Sequence, residues 1–510
     1  MRSVLAEATL EDLDRLAAYL ALFVRPGDLV ALDGDLGAGK TTFARALISH
    51  VSNGAVGEVP SPTFTLLQSY DCGRLSMHHF DLYRLQGAGD VRELGLEAAL
   101  SEGVALVEWP ERLGETMPAD RFVVRLDAAE APERRKITLE AHGAAAPRLA
   151  RVLDMMAFTG ARGFGDARPA FLQGDASRRA YARLHQPDGT TLVLMDSPKQ
   201  PEGPPVRDGR SYSQIAHLAE EVRPFVAIGD ALRRAGLSAP DVVAQDLERG
   251  FLILEDLGDL TYGAGLAQGL SQAELYRAAT DVLIAMRQMP PGRDLPLPDG
   301  TTYSLPRFDR AALEIEIDLL LDWYWPEVKG APVPEAVRAE FYRLWSPVLD
   351  RLLAEPAGWF LRDYHSPNLM WLPDRTGLAR VGIIDYQDAL AESWAYDLLC
   401  LLQDNRLDVP AALEAELLAY YCREVARREP GFDEAHFRSI YAAFGAERHT
   451  RIVGLWIRLL RRDQKPGYLK HMARAWDYLT RNLAHPGLST LRQWYDTHLP
   501  PELRNRAIVP

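Results

Sequence analysis

Two stretches of the sequence combine residue types at spacings suited to phosphate chemistry. The first, Gly34-Asp35-Leu36-Gly37-Ala38-Gly39-Lys40-Thr41, fits the pattern GxxxxGK[ST]. Gly34, Gly37 and Gly39 let backbone N–H groups face phosphate, Lys40 reaches the outer phosphates of ATP, and the Thr41 hydroxyl holds Mg2+. The second, Asp363-Tyr364-His365-Ser366-Pro367-Asn368, places an Asp five residues before an Asn. In a kinase catalytic loop that spacing supplies the carboxylate that receives a hydroxyl proton and the amide that binds Mg2+. Asp385, seventeen residues beyond Asn368 and preceded by Ile383-Ile384, offers a second metal carboxylate.

Other candidates are carried by shorter signals. Asp81, within a strand-like run, can hold the first Mg2+ directly or through water, and Glu108, at a strand's carboxyl end, can orient the attacking water. Each taken alone reads also as a surface carboxylate. Gly174-Asp175-Ala176-Ser177-Arg178-Arg179 lies between two strand candidates and can fold over phosphates. Leu254-Glu255-Asp256-Leu257 stands where a kinase hinge backbone meets adenine, or is an ordinary strand end.

The elements that must position these groups are readable from periodicity. A helix from Thr9 to Leu22, a strand at Leu29–Leu32 and a helix from Lys40 to about Val51 enclose the Gly-rich turn. Strands are expected at Phe64–Tyr70, Leu75–Tyr83 and Val104–Glu108, and Phe122–Leu126 with Lys136–Ala141 alternates as a hairpin. The Ala-rich, Pro-broken stretch after residue 142 reads as a linker over 143–164 between a first domain, 1–142, and a second, 165–505. The second starts with antiparallel strands (small lobe about 165–257) and continues with helical periodicity (helical lobe about 258–505). The fold class expected is an α/β P-loop NTPase domain followed by an α+β, protein-kinase-like bilobal domain.

Composition narrows the functions available. At 510 residues with 47% hydrophobic and 25% charged residues, the chain is too long for one core and is neither disordered nor fibrous. The net charge of −14 divides evenly at residue 150, so neither part is a basic nucleic-acid arm. Three scattered cysteines fit neither a disulfide framework nor a zinc site. No run of about 18 apolar residues and no signal pattern occurs, so a cytoplasmic protein with no membrane association is expected.

Taken together, GDLGAGKTTFARAL, SPTFTLLQSY, HFDLYRL and GVALVEWPER resemble the TsaE family, the small ATPase subunit of the bacterial machinery that makes threonylcarbamoyladenosine in tRNA. The resemblance covers residues 1–142. It implies ATP hydrolysis coupled to a transferase complex of TsaB-family and TsaD-family subunits, with tRNA reached through them. Lys40, Thr41, Thr42, Asp81 and Glu108 stand on matching positions, and Thr63, Thr65 and Trp109 would line the site.

GDASRRAYARL, TLVLMDSP, FLILEDLGD, FLRDYHSPNLMWL and VGIIDYQDA resemble the aminoglycoside-phosphotransferase-like family, most of all its AmgK branch. That branch phosphorylates the anomeric hydroxyl of N-acetylmuramate and N-acetylglucosamine in cell-wall recycling. The resemblance makes Asp363 the base, Asn368 and Asp385 the metal ligands, and Ser177 and Arg178 phosphate neighbours. Two positions depart from the wider family: Leu361 replaces a His, and Met195-Asp196 occupies the strand where a phosphate-pairing Lys is expected. The Met-Asp pair is shared with the amino-sugar branch, and Arg178 or Arg179 can supply the missing charge. Choline, homoserine, thiamine or an aminoglycoside remain alternative acceptors, and a pseudokinase fused to a nucleotide-gated module is the other reading.

Residues Glu447 to Asp463 have apolar residues at helical spacing and many arginines, which reads as a helix with a solvated Arg face, or else one turning His449, Arg451 or Arg458 to a carboxylated sugar. Trp323, Tyr324 and Trp325 read as packing. Two ATP sites with independent chemistries are expected.

Overall fold

The computed structural model describes residues 1–85, 93–172, 179–289, 292–356 and 358–508. The chain packs as two compact units, Met1–Pro198 with Val242–Asp256, and Lys199–Asp241 with Leu257–Pro510.

The first unit begins with β1 (Arg2–Ala8), a strand that the sequence reading did not anticipate. Next comes α1 (Leu10–Ala21), whose N-terminus is closed by a capping box: the Thr9 hydroxyl accepts from Asp12 N–H, and the Asp12 carboxylate accepts from Thr9 N–H. β2 (Leu29–Asp33) runs into the Gly-rich turn, and α2 (Lys40–Val51) leaves it. There follow β3 (Leu67–Asp71), β4 (Ser76–Asp81), α3 (Leu96–Glu102), β5 (Gly103–Glu108), β6 (Arg121–Ala128) and β7 (Arg135–His142). These strands form one sheet in the order β1-β7-β6-β2-β5-β4-β3. Its centre is parallel, with β2 between β5 and β6, and β4 beside β5. The parallel centre brings the carboxyl ends of β2, β5 and β4 to one edge, where ligands of open α/β sheets bind. Thr65, expected within a strand over Phe64–Tyr70, lies with Thr63 in a turn before β3.

The stretch expected as a linker is α4 (Ala146–Ala161), entered through Pro147 and burying Leu149, Val152, Met155 and Phe158. Its Ala-rich composition suits a helix as readily as a flexible connector. Beyond it, β8 (Arg168–Leu172), β9 (Ala180–His185), β10 (Thr191–Asp196), β11 (Val242–Asp246) and β12 (Phe251–Glu255) make an antiparallel sheet in the order β11-β12-β10-β9-β8. One apolar core runs from Leu20 and Leu47 of the first sheet's helices through Met155 and Phe158 to Leu184 and Ile253 of the second sheet. The expected boundary at 142–165 therefore falls inside a packed unit.

The second unit is mainly helical. α5 (Arg223–Arg234), α6 (Gln272–Met286) and α7 (Arg310–Leu319) precede two small two-stranded antiparallel sheets. β13 (Gly358–Phe360) pairs with β16 (Leu390–Glu392), and β14 (Leu369–Trp371) pairs with β15 (Val381–Ile383). α8 (Ala395–Leu402) and the 28-residue α9 (Glu434–Arg461) pack beneath them. A Cβ at Gly454 of α9 would lie 2.1 Å from the Leu319 carbonyl carbon, so only glycine lets α9 pass the end of α7 at that distance. Tyr324 and Trp325 are buried, as packing residues should be. Among the described residues no helix is long and apolar enough to cross a membrane.

Candidate active sites

At the first site the Gly-rich turn has the backbone that glycine alone takes readily, with φ of 143° at Gly34, 78° at Gly37 and 108° at Gly39. A side chain at Gly34 is also excluded by space, since its Cβ would sit 2.4 Å from the Leu126 carbonyl oxygen. Lys40 opens α2, and its Nζ donates to the Gly34 and Asp35 carbonyls at 2.6 and 2.9 Å while lying 3.7 Å from the Trp109 ring centroid. Burial lowers its pKa against the opposing pull of Glu108 and Asp81.

Parallel pairing sets Asp81 directly beside Glu108 on adjacent strand ends. The Thr41 hydroxyl donates to Glu108 Oε1 at 2.8 Å, and the Thr63 hydroxyl donates to Asp81 Oδ2 at 2.7 Å. Glu108, expected to orient water, is thus the carboxylate in contact with Thr41, while Asp81, expected beside the metal, is held by Thr63. Lys40, Thr41, Asp81, Glu108, Thr63 and Trp109 all converge here, with Thr42 on the first turn of α2. The sequence reading missed His79. It is fully buried, two residues before Asp81 on the same face of β4, and its Nε2 lies 3.0 Å from Glu108 Oε1. Period-two spacing from Asp81 was the signal that could have found it.

At the second site the Asp363 carbonyl accepts from Asn368 Nδ2 at 2.9 Å and from His365 N–H at 3.0 Å, which curls the loop. The Asn368 carbonyl in turn accepts from Ile384 N–H at 3.0 Å, so Asp385, the next residue, is brought alongside Asn368 at the end of the β14–β15 hairpin. Asp385 takes a φ of 59°, and its Oδ1 accepts from Gln387 Nε2 at 3.0 Å. Burial alone would raise the Asp363 carboxyl, but Arg448, Arg451, His365 and Arg362 outweigh it and hold the carboxyl below its ordinary value. Arg448 Nη1 lies 3.9 Å from Asp363 Oδ1 and donates to the Arg362 carbonyl at 3.2 Å.

The loop is held from below. Asp397, fully buried at the start of α8, accepts from Leu361 N–H at 2.6 Å and Arg362 N–H at 3.0 Å. The backbone N–H thus anchors position 361, where the wider family carries His. Arg362, itself buried with a φ of 74°, pairs with Glu316 of α7. The expected solvated Arg face of α9 is overturned: Glu447, Arg448, His449, Thr450 and Arg451 are all buried, because α9 crosses the middle of the unit with neighbours on every side. Burial and the neighbouring Glu316 push the Glu447 carboxyl well above its ordinary value, whereas Arg451 and Arg362 hold Glu316 below its own against its burial. Arg458 lies over the Tyr212 ring at 4.4 Å. Asp397, Arg448 and the Glu316–Glu447 pair were not legible, since their partners are distant in sequence.

Ser177 and Arg178 lie outside the described residues. Glu255 ends β12, and Leu257 follows in the other unit.

These features define a P-loop nucleotide-binding domain followed by a protein-kinase-like phosphotransferase. Residues 7–137 match the family model of the threonylcarbamoyl adenosine biosynthesis protein TsaE, and residues 170–436 match that of the phosphotransferase enzyme family. The chain belongs to the phosphotransferase enzyme family and carries a TsaE-family domain ahead of it. It is 39% identical over 357 residues to an N-acetylmuramate/N-acetylglucosamine kinase of Caulobacter vibrioides, covering 68% of this chain and 96% of the relative. A protein of the same name from Pseudomonas aeruginosa is 32% identical, covering 65% and 89%. For the first domain, the tRNA threonylcarbamoyladenosine biosynthesis protein TsaE of Rickettsia felis is 40% identical over 124 residues, covering 24% of this chain and 72% of the relative. The chain is an ATP-using enzyme with an ATPase module and a phosphotransferase.

Proposed function

We propose that the second domain transfers the γ-phosphate of ATP to the anomeric hydroxyl of N-acetylmuramate or N-acetylglucosamine, and that the first hydrolyses ATP in support of tRNA threonylcarbamoyladenosine formation. The observation that carries the kinase reading is the Asp363–Asn368–Asp385 arrangement, tied by the Asn368 side chain to Asp363 and by the Asn368 carbonyl to Ile384. Relatives named for the amino-sugar reaction support the choice of acceptor.

The donor sets fit Mg2+, a hard cation that takes one or two carboxylates and completes its shell with phosphates and water. Among the described residues no three His, Cys, Asp or Glu side chains form a metal cage, which such a site does not require. Asn368 spends its amide nitrogen on Asp363, leaving the amide oxygen for a metal beside Asp385. In the first domain Thr41, Glu108 and Asp81 offer oxygen donors around the phosphate turn. Mg2+ bound with ATP would neutralise phosphate charge at each place.

Asp363 receives the acceptor proton. An anomeric hydroxyl is more acidic than an ordinary alcohol, so a carboxylate held ionised by Arg448 need only orient it and accept the proton late. In the first domain Lys40 meets the outer phosphates and the Glu108 carboxylate orients water. Phosphorus-proton NMR of the product tests the kinase assignment: phosphate on the anomeric carbon is expected, and phosphate on the primary hydroxyl refutes it. A pull-down with TsaB-family and TsaD-family subunits tests the first domain, and tight, salt-sensitive binding of tRNA by the protein alone would contradict access to tRNA through those partners.

A further inference from the structure

The phosphate turn of the first domain is backed by the end of the β6–β7 hairpin, where Ala128, the last residue of β6, pairs with Arg135, the first of β7. Three residues of the turn meet this hairpin. Gly34 leaves no room for a Cβ against the Leu126 carbonyl, and a Cβ on Gly39 would lie 3.8 Å from Leu126 Cδ1. Between them in sequence, the Ala38 carbonyl accepts from Arg135 Nε at 3.1 Å, across 97 positions of the chain.

Arg135 is itself held in place. Its Nη1 donates to the Pro132 and Arg134 carbonyls, both at 2.7 Å. Because the guanidinium is planar and rigid, these two bonds to the hairpin fix the direction of the third, to the turn. In a planar trans peptide the C=O and the following N–H point in opposite directions. Fixing the Ala38 carbonyl against Arg135 therefore aims the Gly39 N–H away from the hairpin, into the turn, where P-loop N–H groups meet phosphate. Among the described residues that N–H has no acceptor within the chain. Gly39 stands at φ 108° and ψ 15°, and without a Cβ it resists rotation of the adjoining peptide plane very little. The orientation of that plane thus depends on what grips its carbonyl, and the grip is Arg135.

We propose that Arg135 is a positioning residue of the ATPase site: by holding the Ala38 carbonyl outward, it presents the Gly39 N–H to a phosphate of ATP. This rests on the ATPase reading of the first domain alone, and neither on its role in tRNA modification nor on the second domain. Acting through the backbone, Arg135 strengthens the hold on phosphate in the ground state and the transition state alike, so its loss shows in KM more than in kcat. Arg134 supplies the contrast. Its Nη1 donates to the Glu7 carbonyl of β1 at 3.0 Å, so it brings the same charge to the hairpin end but spends it away from the turn.

The test uses the full chain and phosphate release from ATP and Mg2+ without sugar, with Lys40→Ala marking the share that belongs to the first site. Arg135→Met, which keeps the apolar stem, should raise the KM for ATP about tenfold with kcat within about threefold, and Arg134→Met should leave KM within about twofold. A local readout accompanies the kinetics. In amide hydrogen exchange read by mass spectrometry, saturating ATP should protect the segment Gly34–Lys40 in the parent and in Arg134→Met, and at least about fivefold less in Arg135→Met. If the unaltered protein releases no phosphate, the ATPase reading fails, while the exchange measurement still decides the role of Arg135. KM and segment protection in Arg135→Met within twofold of the parent overturn the proposal, and so does an equal rise of KM in Arg134→Met, which would assign the effect to charge alone. Should Arg135→Met not fold, Arg135→Lys decides: it keeps the charge without the rigid fork, a KM raised at least about threefold is expected, and a KM within twofold of the parent overturns the proposal.

Discussion

Thr41 and Glu108 stand 67 positions apart and share a 2.8 Å hydrogen bond, hydroxyl to carboxylate. The hydroxyl that a P-loop offers to Mg2+ is thus already in contact with the carboxylate at the end of β5, and His79 meets the same carboxylate oxygen at 3.0 Å. Glu108→Gln should lower ATP turnover at the first site by about a hundredfold with nucleotide affinity little changed, as measured by phosphate release and analogue binding. His79→Ala should cost about tenfold, because it loosens Glu108 without removing it.

Lys40→Ala should abolish turnover at the first site and leave sugar phosphorylation within about twofold. It removes the cation that contacts the phosphate turn, whereas the Asp363–Asn368 loop keeps its own hydrogen bonds. A coupled assay with and without N-acetylglucosamine separates the two activities. Loss of both without unfolding would show that the two sites depend on each other.

Asp363→Asn should reduce kcat for phosphotransfer by about a hundredfold or more with little change in sugar affinity. Asp385→Ala should instead raise the Mg2+ and ATP concentrations needed, which a Mg2+ titration at fixed sugar would read. Full activity in Asp363→Asn would refute the assignment of the base.

His449 is fully buried; its Nδ1–H donates to the Gly445 carbonyl at 2.8 Å, and its Nε2 accepts from Asn405 Nδ2 at 3.2 Å. Burial pushes its pKa down to about 3, so it stays neutral in the folded protein. Between about pH 6.5 and 3 the unfolded chain binds a proton here that the folded chain refuses, and stability falls as pH falls, by up to about 1.4 kcal/mol per pH unit. Asp397 acts in the opposite sense: burial raises it to about 7, so its contribution is complete below about pH 4 and is lost as pH rises toward 7. The check is therefore a difference. His449→Gln should lose less melting temperature than the parent between pH 6.5 and 4.5.

Much of the first site was legible because its chemistry is local: the Gly-rich turn, Lys40 and Thr41 are contiguous, and Asp81 and Glu108 end adjacent parallel strands. In the second domain the Asp363–Asn368 loop and Asp385 were legible for the same reason. What the sequence hid depends on contacts between distant segments. The Ala-rich stretch before residue 165 gave no sign that Val152, Met155 and Phe158 join two sheets into one core. The arginines of α9 looked solvated because charge usually is, whereas Arg451 is buried against Glu316, 135 positions away, which also pairs with the buried Arg362.

The Met195-Asp196 strand has a chemical corollary. Acyl-phosphate derivatives of ATP modify whichever lysine amine lies against the phosphates, and an ordinary kinase is tagged on its strand lysine. Here β10 offers no such amine, while Lys40, with its pKa lowered by burial, presents one at the phosphate turn. With ATP bound at both proposed sites, such a reagent should leave a single covalent mark, on Lys40, and would serve as a selective handle for the ATPase half in cell extracts.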